Sequence, residues 1–338
     1  MKVTSWNLEH CHRLINDNPD NTIKERRRRV KSTIKGINPD ILCLQEGPKG
    51  VQSITEFCEQ VLENEWVPVL MDSNNDREYQ INGTQWIWFL VKPEIRERCR
   101  IQSPEVWQAF TGEKSWKVYK WGEEVSSRHD HYRHPQVLIF QVDEQHEIEM
   151  IGLHMKSKIN KERIEWVNGD LTGDYVDRAL TARMKLATEA SNVRKYIDAK
   201  FDQLENPGIL VMGDCNDGIG LDHFEQYYMF FDLIGNLQGE VLMAERFFNH
   251  ALFDYPHHLR WTAKYRNALK KIPASKNPLL IDHILISQAI VRGDLPFKVN
   301  AKAGKVEHED FERFNAGSNT KTRTSDHRPV SVVLDKNN

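Results

Sequence analysis

The chain has 338 residues, 39% hydrophobic and 28% charged, a mixture that excludes a disordered chain and supplies a sizeable core. The formal net charge of -3 excludes coating of nucleic acid by bulk electrostatics and leaves room only for a local basic groove. Layered α/β folds with long loops often stay in one unit at this length, so a single domain over residues 1–338 is expected.

In chain order, Lys2 to Asn7 reads as a buried strand, and Ser5-Trp-Asn-Leu-Glu delivers Asn7 and Glu9 two residues apart at its end. The spacing of Ile23, Val30 and Ile34 predicts a helix over Thr22 to Lys35. That helix carries four consecutive arginines, Arg26 to Arg29, which point around about 300 degrees of the cylinder and cannot all face one ligand. At least two of them are read as solvated. The strand Ile41 to Gln45 then ends on Glu46, a hard oxygen ligand of the kind magnesium prefers. A helix over Gln52 to Glu63 and strands over Trp86 to Val91, Gln136 to Val142 and Ile148 to Leu153 follow, the last ending on His154.

A long helical pattern runs from Asp177 to about Phe201, and the strand Ile209 to Met212 passes through Gly213 to place Asp214 and Asn216 on one side of its end. The strand Leu280 to Ile286 carries Asp282-His283, and Val330 to Leu334 is preceded by Asp326-His327. An Asp-His hydrogen bond fixes an imidazole tautomer and supports its cationic form, which suits stabilisation of a phosphoryl transition state. Strands and helices mix throughout, so the class is α/β or α+β. Residues 72–85, 111–133, 155–176, 217–278 and 293–325 are long polar connections, read as loops rimming one site. The strand ends supply Asn, Glu, Asp and His, with no serine nucleophile set, glycine-rich phosphate loop or paired cysteines. Such hard ligands with histidines point to metal-assisted attack of water on phosphorus and leave the substrate open.

The ordered set SWNLE, LQE, RHP, GLH, GDCND, IDHILIS and SDHRPV, running from residue 5 to residue 330, closely resembles the endonuclease/exonuclease/phosphatase superfamily. The resemblance implies a four-layered α/β/β/α sandwich with the site at one edge. It also implies Mg²⁺, or Mn²⁺, held principally by Glu46, with Asn7, Glu9 and Asp326 close to the metal directly or through water. Asp214 would orient or deprotonate the attacking water, and Asn216 would hold the phosphate or that water. His327 would contact a phosphate oxygen while Asp282 orients it, and His154 and Arg133 correspond to phosphate-contacting positions. Tyr79 is a candidate for the tyrosine that many relatives place near this region, although the register is lost across Asn82-Gly83. His283, which alternates away from Asp282, is read as structural.

The expected activity is hydrolysis of phosphodiester bonds, with DNA or RNA as substrate, and His154 followed by Lys156 and Lys158 has a nuclease-like flavour. The alternatives are a phosphatase or phospholipase-C-type activity on a small or lipid phosphoester, and a binding protein that has lost its metal. A lipid enzyme should carry an exposed apolar hairpin or a secretion signal, and neither is evident in the sequence; a binding protein should have lost Glu46, Asp214 or His327, and all three are present. From Tyr255 to Ile281 the chain holds Arg260, Lys264, Arg266, Lys270, Lys271 and Lys276 with no acidic residue, interleaved with Trp261 and Tyr265. Lys264 and Arg266 are therefore candidate substrate contacts, and the alternative is a solvated amphipathic helix. Five cysteines without CxxC spacing fit reduced thiols. No run approaches 18 apolar residues, so no membrane span is expected. Strand alternation starts at Val3, leaving no room for a signal peptide, and the expected compartment is the cytoplasm.

Overall fold

The computed structural model describes all residues except 74, 82, 112–114, 121–122, 129–132, 172 and 338, and for 108, 111, 115–120 and 123–128 it describes the backbone alone. Parts of the expected 72–85 and 111–133 loops, and Asn82 of the Tyr79 register question, therefore lie outside the described residues.

Two six-stranded sheets form the centre. In the first, Gly304–Val306, Val330–Val333, Lys2–Asn7, Ile41–Gly47, Trp86–Val91 and Val67–Pro68 lie side by side in that order. In the second, the order is Asn249–His250, Asp282–Ile286, Gly208–Asp214, Glu147–His154, Gln136–Gln141 and Cys99–Gln102. The inner faces meet through Val3, Cys43, Phe89, Phe140, Met150, Leu210 and Ile284, all buried. Alternation along each strand sends the next residue outward, and those outer faces are also apolar because helices cover them.

Leu42, Leu44, Trp88 and Leu90 pack on Val30, Ile34, Ile54 and Phe57 of the helices Asn21–Ile37 and Val51–Gln60. On the other side Val137, Ile151, Ile209 and Val211 pack on Leu186, Val193 and Ile197 of the helix Asp174–Gln203, and on Ile234 of Leu233–Gln238. The result is the expected α/β/β/α sandwich. Each of the eight predicted strands is present, with ends shifted by a few residues.

The loops differ more. The stretch 293–325 contains the strand Gly304–Val306 and the helix His308–Asn315, and 217–278 contains the helix Leu233–Gln238, all too short for sequence periodicity to announce. The basic stretch is a hairpin, not an amphipathic helix: Ala263 pairs with Leu279 and Lys264 with Pro278, and Asn267 bridges Ile272. Among the described residues no helix is long and apolar enough to cross a membrane.

Candidate active site

Strand register builds the centre of the site. Asp214 pairs in parallel with His154 on one neighbouring strand and antiparallel with Asp282 on the other. Directly opposed residues face the same side of a sheet, so the three side chains form one row across three strand ends. Gly213 makes the row possible, because a Cβ there would lie 2.0 Å from the carbonyl oxygen of Leu153 and its φ is +149°. Asp214 and Asp282 are 1% and 0% exposed, and His154 and His327 are also buried.

The first sheet supplies the other half. Asn7 Nδ2 donates to Asp214 Oδ2 at 2.9 Å, and the backbone N–H of Asn216 donates to Oδ1 at 2.8 Å. Asn216 sits at φ +51° and donates its amide to the Met155 carbonyl, pinning the turn after Asp214 to the adjoining strand. His327 Nδ1 lies 2.9 Å from Asp282 Oδ2, and its Nε2 lies 3.9 Å from Asp214 Oδ2. The loop bearing His327 is strapped to the first strand: Ser325 Oγ donates to the Asn7 carbonyl at 2.6 Å, and Trp6 Nε1 donates to the His327 carbonyl at 2.9 Å.

These contacts set the charges. Burial alone would depress the His327 pKa, but the Asp282 and Asp214 carboxylates and the Asp282 hydrogen bond outweigh it and raise it to about 10. His327 is therefore an imidazolium that donates from both nitrogens. Burial lifts the Asp214 carboxyl above the ordinary carboxylate range, while the His327 charge pulls it back down. Burial, then the charges of Arg133 and His327, keep His154 neutral, well below the usual histidine value.

Asp214, Asp282 and His327 offer ligand atoms within 4.8 Å of one another, the one such group among the described residues. Within it, the hydrogen bond of His327 Nδ1 to Asp282 Oδ2 at 2.9 Å occupies one of the nitrogens. Glu46, the expected metal ligand, lies at the end of the first-sheet strand Ile41–Gly47. The pairing of its strand with Trp86–Val91 shifts register between Leu44 and Gly47, a bulge that re-aims Glu46 at φ +54°. Gly47 follows because a Cβ there would meet Trp88 Cδ1 at 2.4 Å. Glu46 Oε2 accepts from the His10 N–H at 2.8 Å.

Glu9 (φ +26°) has its two oxygens on Arg323, at 3.0 Å from Nε and 2.8 Å from Nη2, and the same Nη2 is 3.7 Å from Asp326 Oδ2. Glu9, His10, Glu46 and Asn216 thus all hold left-handed backbone at the site, where a fold tolerates strain when its surroundings fix it. Two buried polar atoms beside the row, Asp282 Oδ1 and His154 Nδ1, have no hydrogen-bond partner among the described residues. Hard oxygen donors together with such orphaned atoms fit a site that takes a metal ion and an oxygen-rich ligand.

Other candidates divide. Arg133 lies near enough for its charge to act on His154 and Glu189, so it borders the row. Lys156 is exposed, with Nζ 3.2 Å from the Ser157 carbonyl. Lys158 is committed elsewhere, to Asp217, Asp222 and Glu225. Lys264 and Arg266 are exposed on the hairpin, and Lys264 Nζ rests 4.1 Å over the Trp261 ring.

Between them is a residue that the sequence showed only as an aromatic within the basic stretch. Tyr265 Oη lies 2.9 Å from His327 Nε2 and donates to Asp326 Oδ2 at 3.1 Å. The two-residue strand Ala263–Lys264 helps bring it there, and no periodicity announces so short a strand. Tyr79 is instead a core residue, 1% exposed, its hydroxyl accepting from the Met71 N–H and its ring against Trp86 and Trp88.

His283 faces away from the row and closes a fixed chain. Leu252 N–H donates to His250 Nδ1, His250 Nε2 to His283 Nδ1 at 2.9 Å, and His283 Nε2 to the Asp217 carbonyl at 2.8 Å. The arginine run is not half solvated. Arg26 is buried and donates to the carbonyls of Leu8, Glu9, Arg323 and Thr324; Arg27 holds the Leu14 and Asn16 carbonyls, and Arg29 those of Phe314 and Ala316. Arg28 alone is exposed, paired with Glu25. Arg26 therefore clamps the end of the first strand to the loop that carries His327.

No protein-family model matches the chain, and no curated protein matches it either. Solved structures do. A TDP2 from D. rerio, humanized by 14 mutations, superposes with a TM-score of 0.51 at 13% identity, covering 99% of each chain. TDP2 from C. elegans gives 0.51 at 12% identity over 98% of this chain and 74% of its own. D. rerio TDP2 complexed with a single-strand DNA product gives 0.51 at 13% over 99% of each. At this identity the likeness is one of fold, and the chain carries the deoxyribonuclease-I-like fold of the endonuclease/exonuclease/phosphatase superfamily that its ordered motifs resemble.

Proposed function

We propose that this chain is a phosphoester hydrolase that cleaves phosphodiester bonds in nucleic acid with Mg²⁺ or Mn²⁺, by in-line attack of water. One observation carries the reading: a buried carboxylate, Asp214, is held by Asn7 and flanked by a neutral His154 and a cationic His327. Asp214 is aimed by two hydrogen bonds and receives the proton of the attacking water. His327, braced by Asp282, donates from Nε2 to a phosphoryl oxygen that gains charge in the transition state. His154 and Arg133 bound the phosphoryl position on the other side, with Asn216 keeping the turn in place and Lys156 on its border. Glu46 would hold the metal, with Asn7, Glu9 and Asp326 around it and Glu9 acting through water because Arg323 occupies its carboxylate. When bound, the metal supplies Lewis-acid neutralisation of phosphoryl charge.

The nucleic-acid substrate is supported by the exposed basic hairpin with Lys264 and Arg266, and by the single-strand DNA product in a D. rerio TDP2 of the same fold. One domain and a cytoplasmic location belong to the same reading. A lipid phosphoester is favoured by one finding that reverses the sequence expectation. An apolar hairpin is exposed after all: Trp166 and Val167, paired with Leu171 and Asp170, are each 55% exposed. Purified protein with Mg²⁺ should be offered single-stranded DNA, duplex plasmid, RNA and sphingomyelin or phosphoinositide vesicles. Cleavage of the polynucleotides supports the first reading, and turnover confined to vesicles replaces it with the second.

A further inference from the structure

The Tyr265 hydroxyl stands at the site beside His327 and Asp326. Asp214, Asp282 and His327 are buried, whereas Tyr265 is 37% exposed and the Asp326 side chain 26%. The partly exposed Tyr265 places its hydroxyl 2.9 Å from the buried His327 Nε2. Hydrogen-bond directions are fixed by elimination. His327 Nδ1–H is spent on Asp282, its Nε2–H reaches Tyr265 Oη, and the tyrosine proton goes to Asp326 Oδ2. Tyr265 therefore fills on His327 the acceptor position that a phosphoryl oxygen would need.

Its backbone is not free to leave. The Tyr265 carbonyl accepts from Asn277 Nδ2 at 2.7 Å, and the preceding residues are paired in the hairpin. With the backbone held, rotation about the side-chain torsions is the route by which the hydroxyl changes partner.

We propose that Tyr265 is a phosphoryl-binding residue: its hydroxyl stands in for a phosphoryl oxygen on His327 and, when phosphate enters, turns from Asp326 to donate to that phosphate. This rests on reading the site as that of a phosphoesterase. It makes Tyr265 a catalytic residue, with a hydrogen bond stronger to the transition state than to the ground state. The opposite arrangement, a latch that only competes with substrate for His327, would hinder binding and contribute nothing to turnover.

Tyr265→Phe separates the two, because it deletes one hydroxyl and leaves the ring. The imidazole resonances of His327 are followed during titration with inorganic phosphate in wild type and variant. The proposal expects phosphate affinity to weaken about tenfold. On a hydrolysed substrate it expects kcat to fall about 10- to 100-fold, with KM rising by no more than the phosphate affinity falls. Phosphate bound as well or better by the variant, with kcat unchanged, overturns it. If wild type cleaves no phosphoester but the variant still loses phosphate affinity, the hydrolase reading falls and the tyrosine assignment stands. Matching melting temperatures confirm that both proteins are folded.

Discussion

Asn7 Nδ2 lies 2.9 Å from Asp214 Oδ2, a bond between the two sheets that spans 207 residues of sequence. Each partner is 1% exposed, so neither can exchange the other for water. Asn7→Ala should therefore cost about 1–3 kcal/mol of stability, the usual penalty for a buried acceptor stripped of its donor. Chemical denaturation of the variant reads this directly. Turnover should fall with it, because the carboxylate loses one of the two bonds that aim it; full kcat would show that Asn7 only supports the fold.

Asp214→Asn and His327→Ala should each lower kcat by about two orders of magnitude or more, as expected for a general base and an electrostatic donor. Asp282→Asn should be milder, since it leaves the imidazole in place. The Asp282→Asn, His327→Ala double variant should be no slower than His327→Ala alone. Additive losses would mean that the two do not act as a pair.

His327 also makes a pH prediction. Its folded-state pKa is raised from 6.5 to about 10, so the folded protein holds this proton more tightly than the unfolded chain. The stabilisation is complete below about 6.5 and is lost as pH rises through about 10. In Asp282→Asn the main charge that raises it is gone, so loss should begin at lower pH. Melting curves across this window for both proteins should diverge, and parallel curves would remove Asp282 as the cause. Turnover should also decline on the acid side as the buried Asp214 carboxyl, lifted above the ordinary carboxylate range, takes up a proton.

Metal affinity should separate Glu46 from Glu9. Arg323 already engages both oxygens of Glu9, whereas Glu46 meets His10 through one oxygen, Oε2, at 2.8 Å from the backbone N–H and 3.6 Å from Nδ1. Mn²⁺ binding followed by electron paramagnetic resonance should weaken at least about tenfold in Glu46→Gln and far less in Glu9→Gln. Equal losses would make both direct ligands.

Neutralising Lys264, Arg266 and Lys270 together should weaken polynucleotide binding and flatten its salt dependence by roughly one unit of slope per lost phosphate contact. Hydrolysis of a small chromogenic phosphodiester should be nearly unchanged. An unaltered slope at full affinity would make the hairpin mere surface.

What could be read from sequence followed strand periodicity. Each sheet strand with a continuous apolar run was visible, and the polar residue at its end was conspicuous by contrast; Asn7, Glu46, His154, Asp214 and Asp282 were singled out in this way. Tyr265 was seen only as an aromatic within a basic stretch, because a two-residue strand has no period and its place depends on pairing with Pro278 and Leu279. Arg323 and Arg26 escaped for a related reason. Their partners lie 314 residues away for Arg323 and Glu9, and 298 for Arg26 and Thr324, and charge alone does not name a partner. Trp166 and Val167 were hidden because a two-residue hairpin strand looks like loop sequence, and its exposure is a tertiary fact.

Metal-dependent hydrolysis of phosphodiesters is the activity proposed for the Asp214 and His327 row. It is tested most directly by incubating chelator-stripped protein with a labelled single-stranded DNA, with and without added Mg²⁺, beside Asp214→Asn. Cleavage is expected only with the metal, with a loss of about two orders of magnitude or more in the variant. Cleavage that survives chelation, or that proceeds at wild-type rate in Asp214→Asn, would contradict it.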